Sequence, residues 1–256
     1  MTVLYTVTNH VASVVIDRPP VNALDDPTYA ELIQAFTRVT DEGDVRVATL
    51  TSTGTRAFCG GTDVHFFGLR HLDDPGWHER HSRLVRDAFS AIYRCRVPVI
   101  AGVQAVAAGA GMGLLGCVDL VIASETATFR LPEINVGVLG GARHLARLVP
   151  EQIVRYLAYT GEALGAADLQ RLGGACSVVP PDGLPAEVDR VANLLASKSP
   201  TALTTLKRGL DHLELTGANL EEGYRYEQTL TESIAAHPHS QEAANAFFEK
   251  RQPVYE

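Results

Sequence analysis

The sequence predicts an α/β fold with a largely parallel sheet. Runs of β-branched and apolar residues alternate with stretches of helical pattern along most of the chain. Such alternation is typical of strand–helix–strand units, whose neighbouring strands pair in parallel. The chain has 256 residues, of which 46% are hydrophobic, and it has no low-complexity tract. It can therefore bury a full core as one large domain, with or without a helical appendage.

The first two strands are predicted to form a hairpin. Residues 3–7 and 11–16 are rich in β-branched side chains, and the three residues between them suit a turn. Pro19 and Pro20 then end the second strand, because proline cannot donate to a sheet ladder.

A helix over residues 26–40 is predicted next. Asp26 at the cap and Pro27 in the first turn both favour a helix start at this point. Residues 45–50 then form an apolar, buried strand, and its end leads the chain into a turn at residues 58–63.

The later elements follow from the same alternation of patterns. Their predicted ranges are a helix at 79–94, a strand at 97–103, a helix at 109–116, a strand at 118–123, helices at 142–149, 151–160 and 166–172, a strand at 175–179, and several helices from 185 to 250. We expect a core over residues 1–196 and a C-terminal helical region over residues 197–256.

Composition and charge disfavour several functional classes. A net charge of −8 argues against nucleic-acid or anionic-membrane binding, since both need a basic surface. No apolar run reaches the ~18 residues of a membrane span, and no secretory signal is apparent at the start, so a cytoplasmic protein is expected. The four cysteines are scattered without a CxxC pair, which predicts reduced thiols and no metal site.

One segment with chemical potential is Arg56-Ala57-Phe58-Cys59-Gly60-Gly61-Thr62-Asp63, directly after a predicted strand. Gly60 and Gly61 would let the backbone approach a ligand closely and point an N–H into a cavity. Asp63 could cap a following helix. The residues alone fit a plain strand-to-helix turn equally well.

A second segment covers residues 103–113 and is rich in glycine and alanine. Small residues permit a helix start to pack closely on a sheet, and a helix N-terminus offers unpaired N–H groups to an anion. The alternative is a tightly packed, buried helix without a ligand.

A third segment contains Glu133, which lies between the apolar residues Leu131 and Ile134. Burial there would raise the pKa of the carboxyl group toward the range that suits a general base. The alternative is an ordinary exposed or helix-capping glutamate.

Together these three segments resemble the crotonase (enoyl-CoA hydratase/isomerase) superfamily. Weaker matches at residues 18–24 and 246–251 extend the resemblance over essentially the whole chain. The resemblance implies a crotonase-like spiral of ββα units, a C-terminal helical region used in trimerisation, and an acyl-CoA thioester as substrate. Coenzyme A would be part of the substrate, so no separate cofactor is expected. A homotrimer or a dimer of trimers is the implied assembly.

The resemblance also implies residue roles. Glu133 would be the acid–base residue, and the N–H groups of Gly60 and Ala110 would form the oxyanion hole. Main-chain groups around Ala57 and Cys59 would face the adenine and pantetheine of CoA, and the segment 64–85 would line the acyl pocket. Further residues expected at the substrate are Asp63, Gly109, Gly113, Gly141, Arg143, His144 and Lys250, of which Lys250 could reach a CoA phosphate.

Two departures from the family pattern bear on the reaction. Hydratases of the family carry a catalytic glutamate at the position of Gly113, and glycine cannot transfer a proton. In addition, Arg143 and His144 replace two glycines of the family's Pro-Gly-x-Gly-Gly segment. These two side chains could point into solvent, or one of them could contact the substrate or supply the missing acid.

With one carboxylate, the reaction that needs least is a proton shuttle by Glu133, in which an enoyl-CoA double bond moves from C3 to C2. The alternatives are a hydratase or a C–C bond hydrolase in which another group acts in place of a carboxylate at Gly113. A non-catalytic acyl-CoA-binding protein is the third possibility.

Overall fold

The fold consists of two sheets and ten α-helices in the part of the chain that a computed structural model describes, residues 1–63, 74 and 76–255. The strands are β1 Val3–Thr8, β2 Val11–Ile16, β3 Val47–Ser52, β4 Ala57–Cys59, β5 Val99–Val103, β6 Val106–Ala108, β7 Leu120–Ser124, β8 Thr128–Arg130, β9 Ala163–Gly165 and β10 Ser177–Val179. The helices are α1 Asp26–Asp41, α2 Trp77–Tyr93, α3 Ala110–Leu115, α4 Ala142–Leu145, α5 Glu151–Thr160, α6 Ala166–Arg171, α7 Leu184–Ala196, α8 Pro200–Thr216, α9 Leu220–Ile234 and α10 Pro238–Glu249.

The larger sheet has six strands in the order β1-β2-β3-β5-β7-β10. Only the β1–β2 pair is antiparallel, and it forms the predicted hairpin with Asn9 and His10 at positive φ in its turn. All other pairs are parallel, which confirms the largely parallel α/β prediction. The parallel strands are apolar because helices and the second sheet cover both of their faces.

A second, four-stranded sheet was not predicted. Its order is β4-β6-β8-β9, and each of its strands has three residues. Strands this short leave no periodic pattern in the sequence, so the sequence predicts turns, a helix start and connecting segments at these positions. The predicted strands and helices otherwise agree with the structure to within two residues at each end, except that the helix predicted at 142–149 ends at Leu145.

The two sheets together explain the spiral. Each turn of the chain places one strand in the larger sheet and the next in the smaller sheet, and a helix follows. The successive turns are β3-β4-α2, β5-β6-α3 and β7-β8 followed by a 3₁₀ turn and α4. The expected spiral of ββα units is thus confirmed.

The first helix is capped one residue earlier than predicted. The side chain of Asp25 accepts from the Thr28 backbone N–H at 2.9 Å, so Asp25 is the cap and Asp26 lies in the first turn. Asp26 instead lies 2.6 Å from Nδ1 of His81 on α2. Helix α1 is thereby joined to α2.

The core lies on both sides of the larger sheet. The main cluster fills the space between the two sheets and helices α1 to α6. A smaller cluster on the opposite face packs Val47, Ile100 and Ile122 against Leu184 and Val188 of α7. Full burial of each large aliphatic side chain contributes about 1.5–3 kcal/mol, so α7 is held to the sheet mainly by apolar contact.

The C-terminal helices are joined to the core by buried charge. Lys207 of α8, only 5% exposed, donates to Asp119 at 2.7 Å. Asp119 in turn accepts from the Val99 N–H at 2.7 Å. Loss of one partner would leave an uncompensated buried charge, which typically costs about 3–5 kcal/mol. The predicted boundary at 196/197 falls between α7 and α8, but the division into two units remains a prediction.

The expected acyl-pocket segment and the expected cytoplasmic location both stay predictions. Residues 64–73, 75 and 256 lie outside the described residues, and with them much of the segment assigned to the acyl pocket. Within the described ranges, no helix combines the length and apolarity needed to cross a membrane. The cytoplasmic location stays a prediction.

The predicted oligomer can be tested on helix α8. Leu206 and Leu210 lie four residues apart on this helix, and their side chains are 56% and 55% exposed. Neighbouring exposed leucines are typical of a surface that contacts another protein chain. We expect light scattering to give three or six times the chain mass of 27.5 kDa. Leu206→Glu/Leu210→Glu should reduce that mass, whereas Leu194→Glu on α7, also at an exposed position, should not. A monomeric wild type at micromolar concentration would exclude the assembly.

Candidate active site

Three loops meet at one edge of the smaller sheet. Strands β4, β6 and β8 are neighbours and run in parallel, so their carboxyl ends lie at the same edge. The chain leaves β4 into the turn at residues 60–63, leaves β6 into α3, and leaves β8 into the 3₁₀ turn Pro132–Val136 that contains Glu133. The three segments that the sequence singled out are thus brought together by short strands that the sequence did not reveal.

The carboxyl group of Glu133 lies against two glycines. A Cβ on Gly109 would be 2.7 Å from Oε1 of Glu133, and a Cβ on Gly140 would be 2.5 Å from its Cδ. Gly109 also has a φ of +56°, a conformation that side chains rarely adopt. No other residue at these two positions would leave the carboxyl group where it is.

The environment of Glu133 favours the protonated form. Its Oε2 is buried and has no hydrogen-bond partner among the described residues. Burial raises the pKa of the Glu133 carboxyl above its ordinary value, and the residue's own backbone N–H offsets part of that rise. The direction agrees with the sequence-based expectation. A carboxyl group with a raised pKa and one free oxygen suits proton transfer to and from a bound molecule.

The Gly60 amide, predicted to be the first oxyanion donor, already has an acceptor. It donates to the carbonyl oxygen of Val21 at 2.8 Å. The assignment of Gly60 is therefore wrong, because the segment after β2 runs beside the turn and takes up this N–H. The backbone N–H of the next residue, Gly61, offsets part of the rise in the pKa of the Cys59 thiol.

The next amide along this turn is that of Thr62. Thr62 and Leu24 form a parallel bridge in which the Asp63 N–H donates to the Leu24 carbonyl at 2.8 Å. Successive amides of extended chain point to opposite sides, so the Thr62 N–H faces away from Leu24. It has no acceptor in the described part of the chain, while the Thr62 hydroxyl lies 2.8 Å from the Tyr29 hydroxyl.

The Ala110 amide lies close to this turn. Ala110 is the first residue of α3, and its N–H has no acceptor among the described residues, as expected for the first turn of a helix. A Cβ on Gly61 would be 3.8 Å from the Ala110 nitrogen. Two unpaired N–H groups, those of Thr62 and Ala110, therefore flank the region next to Glu133.

Ala57 and Cys59 are packed inside the protein. The Ala57 carbonyl accepts from Asn22 Nδ2 at 3.0 Å and from Gln104 Nε2 at 3.2 Å. Cys59 is fully buried, and burial raises the pKa of its thiol to about 12. The expected contact of main-chain groups around Ala57 and Cys59 with CoA stays a prediction.

Asp63 is part of the framework of the turn. Its carboxylate accepts from Arg18 Nη2 at 2.8 Å, and the same guanidinium nitrogen lies 3.1 Å from Asp25, the cap of α1. These contacts fix the turn to α1, and the expected substrate contact of Asp63 stays a prediction. Whether Asp63 also caps a following helix lies outside the described residues.

The space expected for a side chain at Gly113 is filled by Phe89. A Cβ on Gly113 would be 2.6 Å from Cε2 of the Phe89 ring, and Phe89 itself is only 9% exposed. Sequence reasoning missed this residue, because an aromatic residue on the apolar face of a helix gives no sign of which glycine it will contact. The space where family hydratases carry a glutamate side chain is thus filled by the aromatic ring of Phe89.

Some of the residues after Gly140 pack against the protein, and others are exposed to solvent. Gly141 packs on the start of α3, where its Cβ would be 3.4 Å from the Gly109 carbonyl oxygen. Arg143 is exposed, as in the outward-pointing alternative. His144 is half-buried, and its ring meets the edge of the Phe89 ring at a centroid distance of 4.9 Å. Burial, followed by the charges of Arg143 and Arg147, lowers the pKa of His144, so the imidazole is neutral at pH 7.

Lys250 lies apart from these contacts in the structure. It forms the C-cap of α10 with a φ of +55° and is exposed. Its contact with a CoA phosphate remains a prediction. In the described ranges, no group of three or more His, Cys, Asp or Glu residues is arranged to hold a metal ion.

Comparison with known proteins agrees with this geometry. The family model described as enoyl-CoA hydratase/isomerase matches residues 6–256. The chain belongs to the enoyl-CoA hydratase/isomerase family.

Relatives in this family act on different acyl-CoA compounds. The chain is 36% identical to a (7aS)-7a-methyl-1,5-dioxo-2,3,5,6,7,7a-hexahydro-1H-indene-carboxyl-CoA hydrolase from Mycobacterium tuberculosis, over 94% of this chain and 95% of the relative. It is 30% identical to an (E)-benzylidenesuccinyl-CoA hydratase from Thauera aromatica, over 100% and 99%. Among solved structures, an enoyl-CoA hydratase from Mycobacterium smegmatis superimposes with a TM-score of 0.91 at 28% identity, covering 100% of this chain and 99% of the other.

The raised pKa of the half-buried Glu133 carboxyl predicts a pH-dependent stability. Because the raised pKa means that the folded protein binds this proton more tightly than the unfolded chain, stability falls as pH rises through the pKa of Glu133. Glu133→Gln removes the buried charge and should raise Tm at pH 8 by about 2–4 °C. The gain should vanish at acidic pH, where the wild-type carboxyl is protonated.

Calorimetry at several pH values measures this difference. Glu125→Gln, at an exposed glutamate between β7 and β8, is the matched control and should show no such gain. A Glu133→Gln protein that is less stable than wild type at every pH contradicts the assigned environment.

Proposed function

We propose that this protein transforms an acyl-CoA thioester through an enolate, with Glu133 as the single acid–base residue. The thioester oxygen would be held by the N–H groups of Ala110 and Thr62. The observation that carries this proposal is the buried, unpartnered Oε2 of Glu133 beside two amides that lack acceptors in the described part of the chain. Loss of one such donor typically costs about 2.7–4 kcal/mol of transition-state stabilisation.

The reaction that needs the fewest groups is double-bond isomerisation. The Glu133 carboxylate removes a proton from C2 of a 3-enoyl thioester, and the electron pair is delocalised into the thioester oxygen as an enolate. The protonated Glu133 then returns the proton at C4, and the double bond moves to C2. One carboxylate performs both transfers, which fits a site where the Phe89 ring fills the space that a side chain at position 113 would enter.

Hydrolysis of a C–C bond is the second candidate. It is favoured by the 36% identity to a hydrolase of a ketone-bearing cyclic acyl-CoA. Glu133 would take a proton from water while the water oxygen bonds to a ketone carbon β to the thioester. The bond from that carbon to C2 breaks, its electron pair forms the thioester enolate, and Glu133 returns the proton to C2. This reaction also requires a single acid–base group.

Turnover of three substrate classes separates the proposals. Purified protein would be incubated with a 3-enoyl-CoA, a 2-enoyl-CoA and a cyclic β-keto acyl-CoA, and the products identified by mass spectrometry. Isomerised 2-enoyl product supports the first reaction, and a ring-opened product that carries one added water supports the second. Efficient hydration of the 2-enoyl-CoA would instead support the hydratase alternative, in which another group acts in place of a carboxylate at Gly113. Binding without turnover of any substrate class would indicate a non-catalytic acyl-CoA-binding protein.

Glu133→Gln should reduce kcat at least about 10²-fold on the active substrate. The amide keeps the shape of the side chain but cannot accept a proton at neutral pH. Affinity for the CoA ester should stay nearly unchanged, as measured by calorimetry, and Glu125→Gln should retain wild-type kcat. A Glu133→Gln protein with most of its kcat would exclude Glu133 as the base.

His144→Ala should have a small effect on kcat, less than about tenfold. The imidazole is neutral, packs on Phe89 and is not needed as an acid in a single-carboxylate mechanism. A positioned acid or base would contribute at least about 10²-fold. Steady-state kinetics of the variant measure the difference, and a loss of 10² or more would assign His144 a proton-transfer role.

A further inference from the structure

Position 113 lies on the face of α3 that bears the candidate site. Gly109, beside the Glu133 carboxyl, and Ala110, with its unpaired N–H, precede Gly113 by four and three residues. Residues three and four apart share one face of a helix. A side chain at position 113 would therefore point toward the same region, and Phe89 is what occupies the space it would enter.

The Phe89 ring is held from several sides. Its edge meets Tyr29 at a centroid distance of 6.4 Å and His144 at 4.9 Å, in both cases in a T-shaped arrangement. Tyr29 is fully buried and its hydroxyl contacts Thr62. The ring thus lies between the turn that carries the Thr62 amide and helix α4, and it has little freedom to move away from Gly113.

We propose that Phe89 and Gly113 form a specificity-determining pair, in which the ring excludes a second acid–base side chain and directs the site away from adding water to a 2-enoyl thioester. This inference rests on the proposed single-carboxylate function. Hydration involves two proton transfers, one from water as its oxygen bonds to C3 and one to C2. A second acid–base side chain would allow these transfers to be divided between two groups, as in hydratases that carry a glutamate at this position. With an aromatic ring at the second position, only Glu133 can take part.

Phe89→Leu is the substitution that opens this space. It removes the Cε and Cζ atoms that lie closest to Gly113 and keeps the branched, apolar part of the side chain. Gly113→Glu alone should force the ring to move and lower Tm by more than about 4 °C. The double variant Gly113→Glu/Phe89→Leu should recover part of that loss, so that the two substitutions are coupled in thermal unfolding.

The same variants test the chemistry. Hydration of crotonyl-CoA by Gly113→Glu/Phe89→Leu should exceed that of the wild type by about 10²-fold or more, the usual contribution of a positioned acid or base. Gly113→Gln/Phe89→Leu, which carries an amide that cannot transfer a proton, is the matched control and should not hydrate. If Phe89→Leu does not fold, Phe89→Met takes its place.

Three results would overturn the inference. They are a Gly113→Glu protein as stable as wild type, additive rather than coupled Tm changes, and a stable double variant that hydrates no better than its glutamine control. Failure of the proposed function would give a different result, namely full turnover by the Glu133→Gln variant. The Tm coupling is measured without any substrate, so it is independent of that outcome.

Discussion

The site depends on the absence of side chains along α3. Four glycines in and around this short helix are each contacted by a different segment: Gly109 by Glu133, Gly111 by the Cys59 carbonyl, Gly113 by Phe89 and Gly116 by His144. A Cβ at any of these positions would overlap the contacting group. Gly111 and Gly113 lie inside the helix and each cost it roughly 1 kcal/mol relative to alanine. The close packing of β4, α2, α4 and the Glu133 turn around α3 offsets that cost.

This packing also determines the electrostatics of Glu133. The carboxyl group lies between the backbones of Gly109 and Gly140, where neither position offers a side-chain donor. Its Oε2 therefore has no partner among the described residues, and burial raises its pKa. The same close approach leaves the Ala110 amide next to the turn at Gly61. Within the described residues, a carboxyl oxygen without a partner and an Ala110 amide without an acceptor are thus consequences of one tightly packed helix start.

The sequence predicted elements well where a pattern extends over five or more residues. The β1–β2 hairpin, α1 and α5 have clear periodicity and were located to within two residues. Strands β4, β6, β8 and β9 have three residues each and were missed. One example is Ala57, which lies in the buried strand β4 with its carbonyl bonded to Asn22 and Gln104.

The sequence by itself determined the α/β class and the family resemblance and pointed to Glu133 as a candidate, because these depend on local patterns and on motifs contiguous in the chain. The tertiary structure decided which amides lack an acceptor among the described residues and which side chain fills the space beside Gly113. The Gly60 N–H donates to the carbonyl of Val21, 39 residues earlier in the chain. Gly113 packs against Phe89 of another helix. Such pairings join residues that are distant along the chain, and no local pattern records them.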